Sequence, residues 1–149
     1  MNYKDVYQKW ITSDYFDNAT KEELLSIKDN EKEIEDRFYK DLEFGTGGAR
    51  GIMGAGTNRM NKYNIRKITA GFANHLVKTY GKDISKGVAI AYDSRNNSKD
   101  FAKETALTFA AYGIPAYLYT IISATPLLSF TVRHLGCIGG VVLTASHNT

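Results

Sequence analysis

Three short apolar runs alternate with helical segments in the second half of the chain, and this order constrains the fold most strongly. The runs GVAIAYD, PAYLYTII and GGVVLTAS have the length and composition of buried strands. The helix after the first run starts near Asn97 or Ser98 and stops at Gly113, and the next begins at Thr125 and ends at Gly136. Strand, helix, strand, helix, strand in this order predicts a three-layer α/β/α fold with a mostly parallel, mixed sheet.

A charged segment with helical periodicity comes before these elements. We expect residues 1–42 to form a helical preface that packs on a domain formed by residues 43–149. Thr20 followed by Glu23 matches a capping box at a helix start. The apolar positions expected to face the domain are Leu24, Leu25, Ile27, Ile34 and Phe38.

The bulk composition excludes several classes of protein. The 149 residues are 43% hydrophobic and 23% charged, with a formal net charge of +3, which is typical of a globular domain. Basic and acidic residues are interleaved, so neither nucleic acid nor a membrane surface is an expected partner. The single cysteine, Cys137, excludes an internal disulfide. With no signal-peptide core and no apolar run of membrane-spanning length, the expected location is the cytoplasm.

The segment FGTGGARGIMGAGTNRMN carries six glycines between Gly45 and Gly56, a density that predicts an irregular loop. A dinucleotide fingerprint fails because Arg50 occupies the third glycine position, and a P-loop fails because Thr57 stands where lysine is required. What remains is an arginine between glycines. Backbone amides and a guanidinium together suit a phosphate, while a tight structural turn with an exposed arginine explains the spacing equally well.

The last strand delivers Ser146 and His147 to its carboxyl end, where open α/β sheets place their sites. Asp93 ends an earlier strand and is expected at the same edge of the sheet. A serine-hydrolase interpretation fails, because the G-x-S-x-G elbow is absent and adjacent residues of an extended segment point to opposite sides. Ser146 is then either a phosphate carrier or an ordinary loop serine. No cluster of Cys, His or carboxylate residues has metal-ligand spacing.

Four motifs in fixed order, FGTGGARG, GVAIAYDSR, SATPLLSF and GVVLTASHN, resemble the N-terminal domain of the α-D-phosphohexomutases. The helical preface and the stretch GAGTNRMN extend the similarity to the bacterial phosphoglucomutase/phosphomannomutase type in particular. The resemblance implies an enzyme that interconverts hexose 1-phosphate and hexose 6-phosphate, with glucose as the expected sugar. The intermediate would be a bisphosphorylated sugar.

The same resemblance implies a role for each matching residue. Ser146 would be the phosphoserine, and His147 would help to bind the transferred phosphoryl group. Arg50 would face the phosphoserine and the bound sugar. The residues implied to shape that phosphate-binding loop are Thr46, Gly47 and Gly48.

Cofactors and partners are also implied by the resemblance. Mg²⁺ would bind the phosphate on Ser146 and a trio of aspartates in a second domain, and glucose 1,6-bisphosphate would serve as activator and intermediate. The partners would be the phosphosugar and the remaining domains of a parent chain. Thr149 stands where the family has proline, and the later loops of the family are absent from these residues. The alternative hypothesis is a stand-alone phosphosugar- or phosphate-binding module without catalysis.

Overall fold

A five-stranded mixed sheet organises the part of the chain that the computed structural model describes. This part comprises residues 2–45, 48–93, 98–120 and 136–146, with only the backbone described at 44–50 and 144–146. The strands are β1 (Phe44–Gly45), β2 (Gly48–Ile52), β3 (Val88–Tyr92), β4 (Ala116–Thr120) and β5 (Gly139–Ser146). Their spatial order is β1-β2-β5-β3-β4, in which only β1 and β2 pair antiparallel. The predicted mostly parallel, mixed sheet is confirmed.

Five α-helices and one 3₁₀ helix are described beside the sheet: α1 (Tyr3–Thr12), α2 (Asn18–Leu25), α3 (Glu31–Phe38), α4 (Lys62–Tyr80), the 3₁₀ helix (Gly81–Lys86) and α5 (Lys99–Ala111). Ser98 is the residue before α5, which confirms the predicted start of that helix. The helix predicted from Thr125 to Gly136 lies mostly outside the described residues. The predicted order of elements is therefore confirmed for the described part of the chain.

Strand β3 is buried on both faces of the sheet. Val88, Ala89, Ile90 and Ala91 are all 0% exposed, although successive side chains of a strand point to opposite faces. Val88 and Ile90 join the main core formed with α4 and α5, whereas the two alanines belong to a separate cluster. Parallel sheets are covered on both faces in this way, so the predicted three-layer architecture is confirmed.

The N-terminal helices bury an aromatic cluster of their own. Trp10, 5% exposed, stacks on Phe16 with ring centroids 4.1 Å apart and meets the rings of Phe38 and Tyr63 edge-on. The cluster also includes Ala55, which lies in the segment after β2. The first three helices therefore pack against the segment after β2 and the start of α4. The division of the chain between residues 42 and 43 stays a prediction.

This aromatic cluster gives a stability prediction. Trp10→Ala is expected to lower the free energy of unfolding by about 3–5 kcal/mol, because it removes a buried aromatic ring and leaves a cavity. Urea denaturation followed by circular dichroism measures the change. Tyr39→Ala is the matched control, since Tyr39 is 56% exposed. Equal losses for the two variants would contradict a separate N-terminal core.

The predicted capping box at Thr20 is wrong. Helix α2 begins at Asn18, and its N-cap is Asp17, whose carboxylate accepts a hydrogen bond from the Thr20 backbone N–H at 2.8 Å. The carboxylate of Glu23 instead binds Arg37 and the backbone N–H of Ala55. Asp17 is itself a strong N-cap residue, and the helix therefore starts three residues earlier than expected.

Two further expectations about the first hundred residues need correction. Leu25 is 48% exposed, so only Leu24 of that pair is buried. The glycine-rich segment, predicted to be an irregular loop, contains β1 and β2. Strand β2 forms despite its glycines because it has hydrogen-bonded neighbours on both sides. At Gly51 a Cβ would lie 2.8 Å from the Leu42 side chain, so the close packing itself favours glycine.

Candidate active site

Strands β2 and β5 are direct parallel neighbours, and this pairing positions the candidate site. In their register Arg50 is the partner of Thr144, and Ile52 is the partner of Ser146. Adjacent strands lie about 4.8 Å apart and rise about 3.3 Å per residue, so the Cα atoms of Arg50 and Ser146 are about 8 Å apart. The structure thus brings Gly48, Arg50 and Ser146 onto neighbouring strands. Thr46, Gly47 and His147 lie outside the described residues.

The carboxyl ends of four parallel strands, β2, β5, β3 and β4, lie at the same edge of the sheet. Tyr92, the last residue of β3, is the register partner of Leu143, and β5 continues beyond it to Ser146. Asp93 follows β3 directly, so the predicted placement of Asp93 and Ser146 at one edge is confirmed for the backbone. Ser94 and Arg95 lie outside the described residues.

A cavity of about 790 Å³ lies beside this edge, next to the end of β2 and the first turns of α4 and α5. Most of its charged side chains form ion pairs within the described chain. Lys62 lies 2.7 Å from Asp17 and, through this hydrogen bond, holds the pKa of that carboxyl well below its usual range. Arg66 pairs with Glu104, another residue of the wall. Within each pair the positive and negative charges neutralise each other. The described wall therefore attracts a phosphate less strongly than an unpaired arginine would.

Residues 41–149 match the family model described as phosphoglucomutase/phosphomannomutase, alpha/beta/alpha domain I. This match covers most of the chain.

The chain belongs to the phosphoglucomutase/phosphomannomutase family.

Curated relatives agree with this family assignment. The chain is 40% identical over 130 residues to a phosphopentomutase of Homo sapiens, which covers 83% of this chain and 21% of that protein. It is 36% identical over 147 residues to a phosphoglucomutase of Staphylococcus epidermidis, covering 99% of this chain and 24% of that protein. A probable phosphoribomutase of Schizosaccharomyces pombe is 33% identical over 147 residues, covering 97% of this chain and 25% of that protein.

These relatives limit what can be stated about the substrate. The chain spans about a fifth to a quarter of the length of the curated relatives it matches. Their names include both hexose and pentose mutases, so the family assignment gives a phosphomutase-family domain without fixing the sugar. No solved structure matches the chain significantly.

The described part of the chain offers no complete set of side-chain ligands for the expected Mg²⁺. Within residues 2–45, 48–93, 98–120 and 136–146, no group of three or more His, Cys, Asp or Glu side chains could hold a metal ion. Ser146, the expected ligand through its phosphate, is the last residue of β5, and the Mg²⁺ site stays a prediction. Among the described helices, none is long and apolar enough to cross a membrane.

Sequence reasoning missed one part of the site's surroundings. The Ala55 peptide binds Glu23 and Arg37, which are 32 and 18 positions away in the sequence. Periodicity and capping motifs report contacts within a few residues, so neither signal could have found this pair. The two apolar residues at and just after the end of β2, Ile52 and Met53, weakly indicate a strand, but the surrounding glycines favour a loop.

Proposed function

We propose that this chain is the N-terminal domain of a phosphosugar mutase that interconverts hexose 1-phosphate and hexose 6-phosphate, with glucose as the expected sugar. The observation that carries the proposal is the parallel pairing of β2 with β5, which sets the strand of Arg50 beside that of Ser146. A phosphocarrier serine and a phosphate-binding arginine must lie close together in such a mechanism. The family assignment supports the reaction class.

In the proposed reaction Ser146 carries the phosphoryl group. A sugar hydroxyl forms a bond to phosphorus while the bond between phosphorus and the serine Oγ breaks, which gives a bisphosphorylated sugar. The hydroxyl proton passes to a base in the parent protein. After the sugar reorients, the serine oxygen forms a bond to the other phosphorus while its bond to the sugar oxygen breaks. The base returns the proton to that oxygen, and the phosphoserine is restored as the product leaves. The phosphoserine is therefore regenerated in each cycle.

The other proposed site residues bind charge. Arg50 offers a planar fork for two phosphate oxygens, and the segment that includes Thr46, Gly47 and Gly48 contributes backbone amides. His147 helps to bind the phosphoryl group during transfer. Mg²⁺, when bound to the serine phosphate and to carboxylates of a second domain, supplies further charge neutralisation.

The first functional prediction concerns the 149-residue chain without the remaining domains of the proposed parent protein. The 149-residue chain by itself is expected to show negligible conversion of glucose 1-phosphate to glucose 6-phosphate, because phosphoryl transfer depends on positioning and charge neutralisation by groups outside it. A coupled assay with glucose-6-phosphate dehydrogenase measures this rate. The control is Staphylococcus epidermidis phosphoglucomutase in the same assay. A rate for the chain near that of the control would contradict the prediction.

Mass spectrometry tests the proposed covalent step directly. The parent protein, extended beyond Thr149, is incubated with glucose 1,6-bisphosphate and then measured intact and after digestion. One stable phosphate on the peptide that contains Ser146 is the expected result. Reversible sugar-phosphate binding without any adduct would favour the non-catalytic binding module instead.

A further inference from the structure

The segment directly after β2 is a closed loop, residues 53–60. The Met60 backbone N–H donates to the Ile52 carbonyl at 2.7 Å, and the Gly54 N–H donates to the Met60 carbonyl at 3.1 Å. These two hydrogen bonds join Met53 and Met60 in a parallel β-bridge. Because the Ile52 carbonyl takes part in this closure, a displacement of the loop moves the last residue of β2. That residue is the register partner of Ser146.

One ion pair of the N-terminal helices binds both backbone polar groups of one loop residue, Ala55. The carboxylate of Glu23 accepts from the Ala55 N–H at 2.8 Å, and the guanidinium of Arg37 donates to the Ala55 carbonyl at 3.0 Å. The same carboxylate and guanidinium are 2.5 Å apart. Ala55 is only 4% exposed. Charge-assisted hydrogen bonds with both the donor and the acceptor of one residue fix its position strongly.

Further backbone contacts connect the same loop to the end of α3 and the residues after it. The Asn58 N–H donates to the Arg37 carbonyl at 2.8 Å, and the Leu42 N–H donates to the Thr57 carbonyl at 2.7 Å. At Gly56 a Cβ would lie 2.8 Å from the Arg37 carbonyl oxygen, so helix and loop backbones are in close contact. The loop is thus fixed by the N-terminal helices as well as by its own closure.

We propose that Glu23 and Arg37 are positioning residues for the active site. The pair fixes the 53–60 loop, the loop fixes the end of β2, and β2 carries Arg50 next to the strand of Ser146. In this proposal neither residue touches the reacting atoms. This inference rests on the proposed mutase function and extends it, since it gives the N-terminal helices a part in catalysis. A misplacement of about 1 Å can lower a rate substantially even when its cause lies far from the chemistry.

The kinetic test compares three variants of the parent mutase. Glu23→Ala removes the acceptor of the Ala55 N–H and is expected to lower kcat about tenfold. Glu23→Gln keeps an oxygen that can accept from Ala55 and is expected to recover part of this loss. Glu31→Ala is the matched control, because Glu31 also pairs with a cation of the N-terminal helices, Lys4, and its described side-chain partners, Lys4 and Tyr3, both lie on α1. It is expected to retain the wild-type kcat.

Three results would overturn the proposal. Glu23→Ala could lower the melting temperature and leave kcat unchanged, which would make the pair merely structural. Glu31→Ala could lower kcat as much as Glu23→Ala. Glu23→Gln could lower kcat as much as the alanine variant.

Hydrogen exchange on the 149-residue chain separates this proposal from the proposed function. Glu23→Ala is expected to speed exchange of the Ala55 and Met60 amides by about tenfold, whereas Glu31→Ala leaves both unchanged. Unchanged exchange at Met60 would overturn the positioning role, whatever the activity. If Glu23→Ala speeds exchange at Ala55 and Met60 but the wild-type parent protein has no mutase activity, the connection between Glu23 and β2 is upheld and the proposed mutase function is rejected.

Discussion

Replacing Ser146 with alanine in the parent protein is expected to lower mutase turnover by about a thousandfold or more, since it removes the oxygen proposed to carry the phosphoryl group. The substitution removes one oxygen at the end of β5 and leaves the backbone pairing with Ile52 unchanged. The fold should therefore be retained. Steady-state kinetics with glucose 1-phosphate measure the loss, and circular dichroism checks the fold.

Ser85→Ala is the matched control for this experiment. Ser85 is exposed in the 3₁₀ helix that precedes β3, at the opposite end of the sheet from Ser146. We expect this variant to keep the wild-type turnover. A Ser146→Ala protein with normal turnover would reject the phosphocarrier role and the mutase mechanism with it.

Arg50→Lys is expected to reduce kcat/KM by about tenfold or more, because lysine keeps the positive charge but loses the planar fork that binds two phosphate oxygens. The change leaves the backbone of β2 free to pair with β5. The measurement is kcat/KM for glucose 1-phosphate in the parent protein. Inorganic phosphate as a competitive inhibitor supplies a second readout, with weaker inhibition expected for the variant.

The matched control is Arg66→Lys. Arg66 pairs with Glu104 of the same chain, and a lysine can keep that ion pair. A normal rate is expected for this control. If Arg50→Lys kept the wild-type kcat/KM, Arg50 would be an exposed arginine of a tight structural turn rather than a phosphate ligand.

The central part of the fold was predictable because its signals are local. Helix α5 begins after Ser98, and β3 is a continuous apolar run, both as periodicity and capping predict. The strand order was not predictable in the same way. It depends on pairings such as Ile52 with Ser146, which are remote in sequence and leave no periodic signal.

For the candidate site, the sequence identified residues but not their surroundings. Ser146 ends one apolar strand and Asp93 follows another, so their common edge was predictable from topology. Arg50 was recognised through its glycine neighbours, yet its strand was interpreted as a loop because glycine disfavours strands when partners are unknown. Glu23 was assigned to a helix cap, whereas its carboxylate binds a distant peptide unit. Tertiary contacts determined the outcome in both cases.

The position of β5 has a consequence for how a newly made molecule matures. In the spatial order β1-β2-β5-β3-β4, the last of the five described strands lies in the middle of the sheet. Without residues 139–146, the β1–β2 and β3–β4 pairs have no strand pairing between them. Such long-range pairing forms late and slowly. The serine proposed to carry phosphate is thus on the strand that joins the β1–β2 pair to the β3–β4 pair. A chain that ends before residue 139 has neither the complete sheet nor this proposed acceptor.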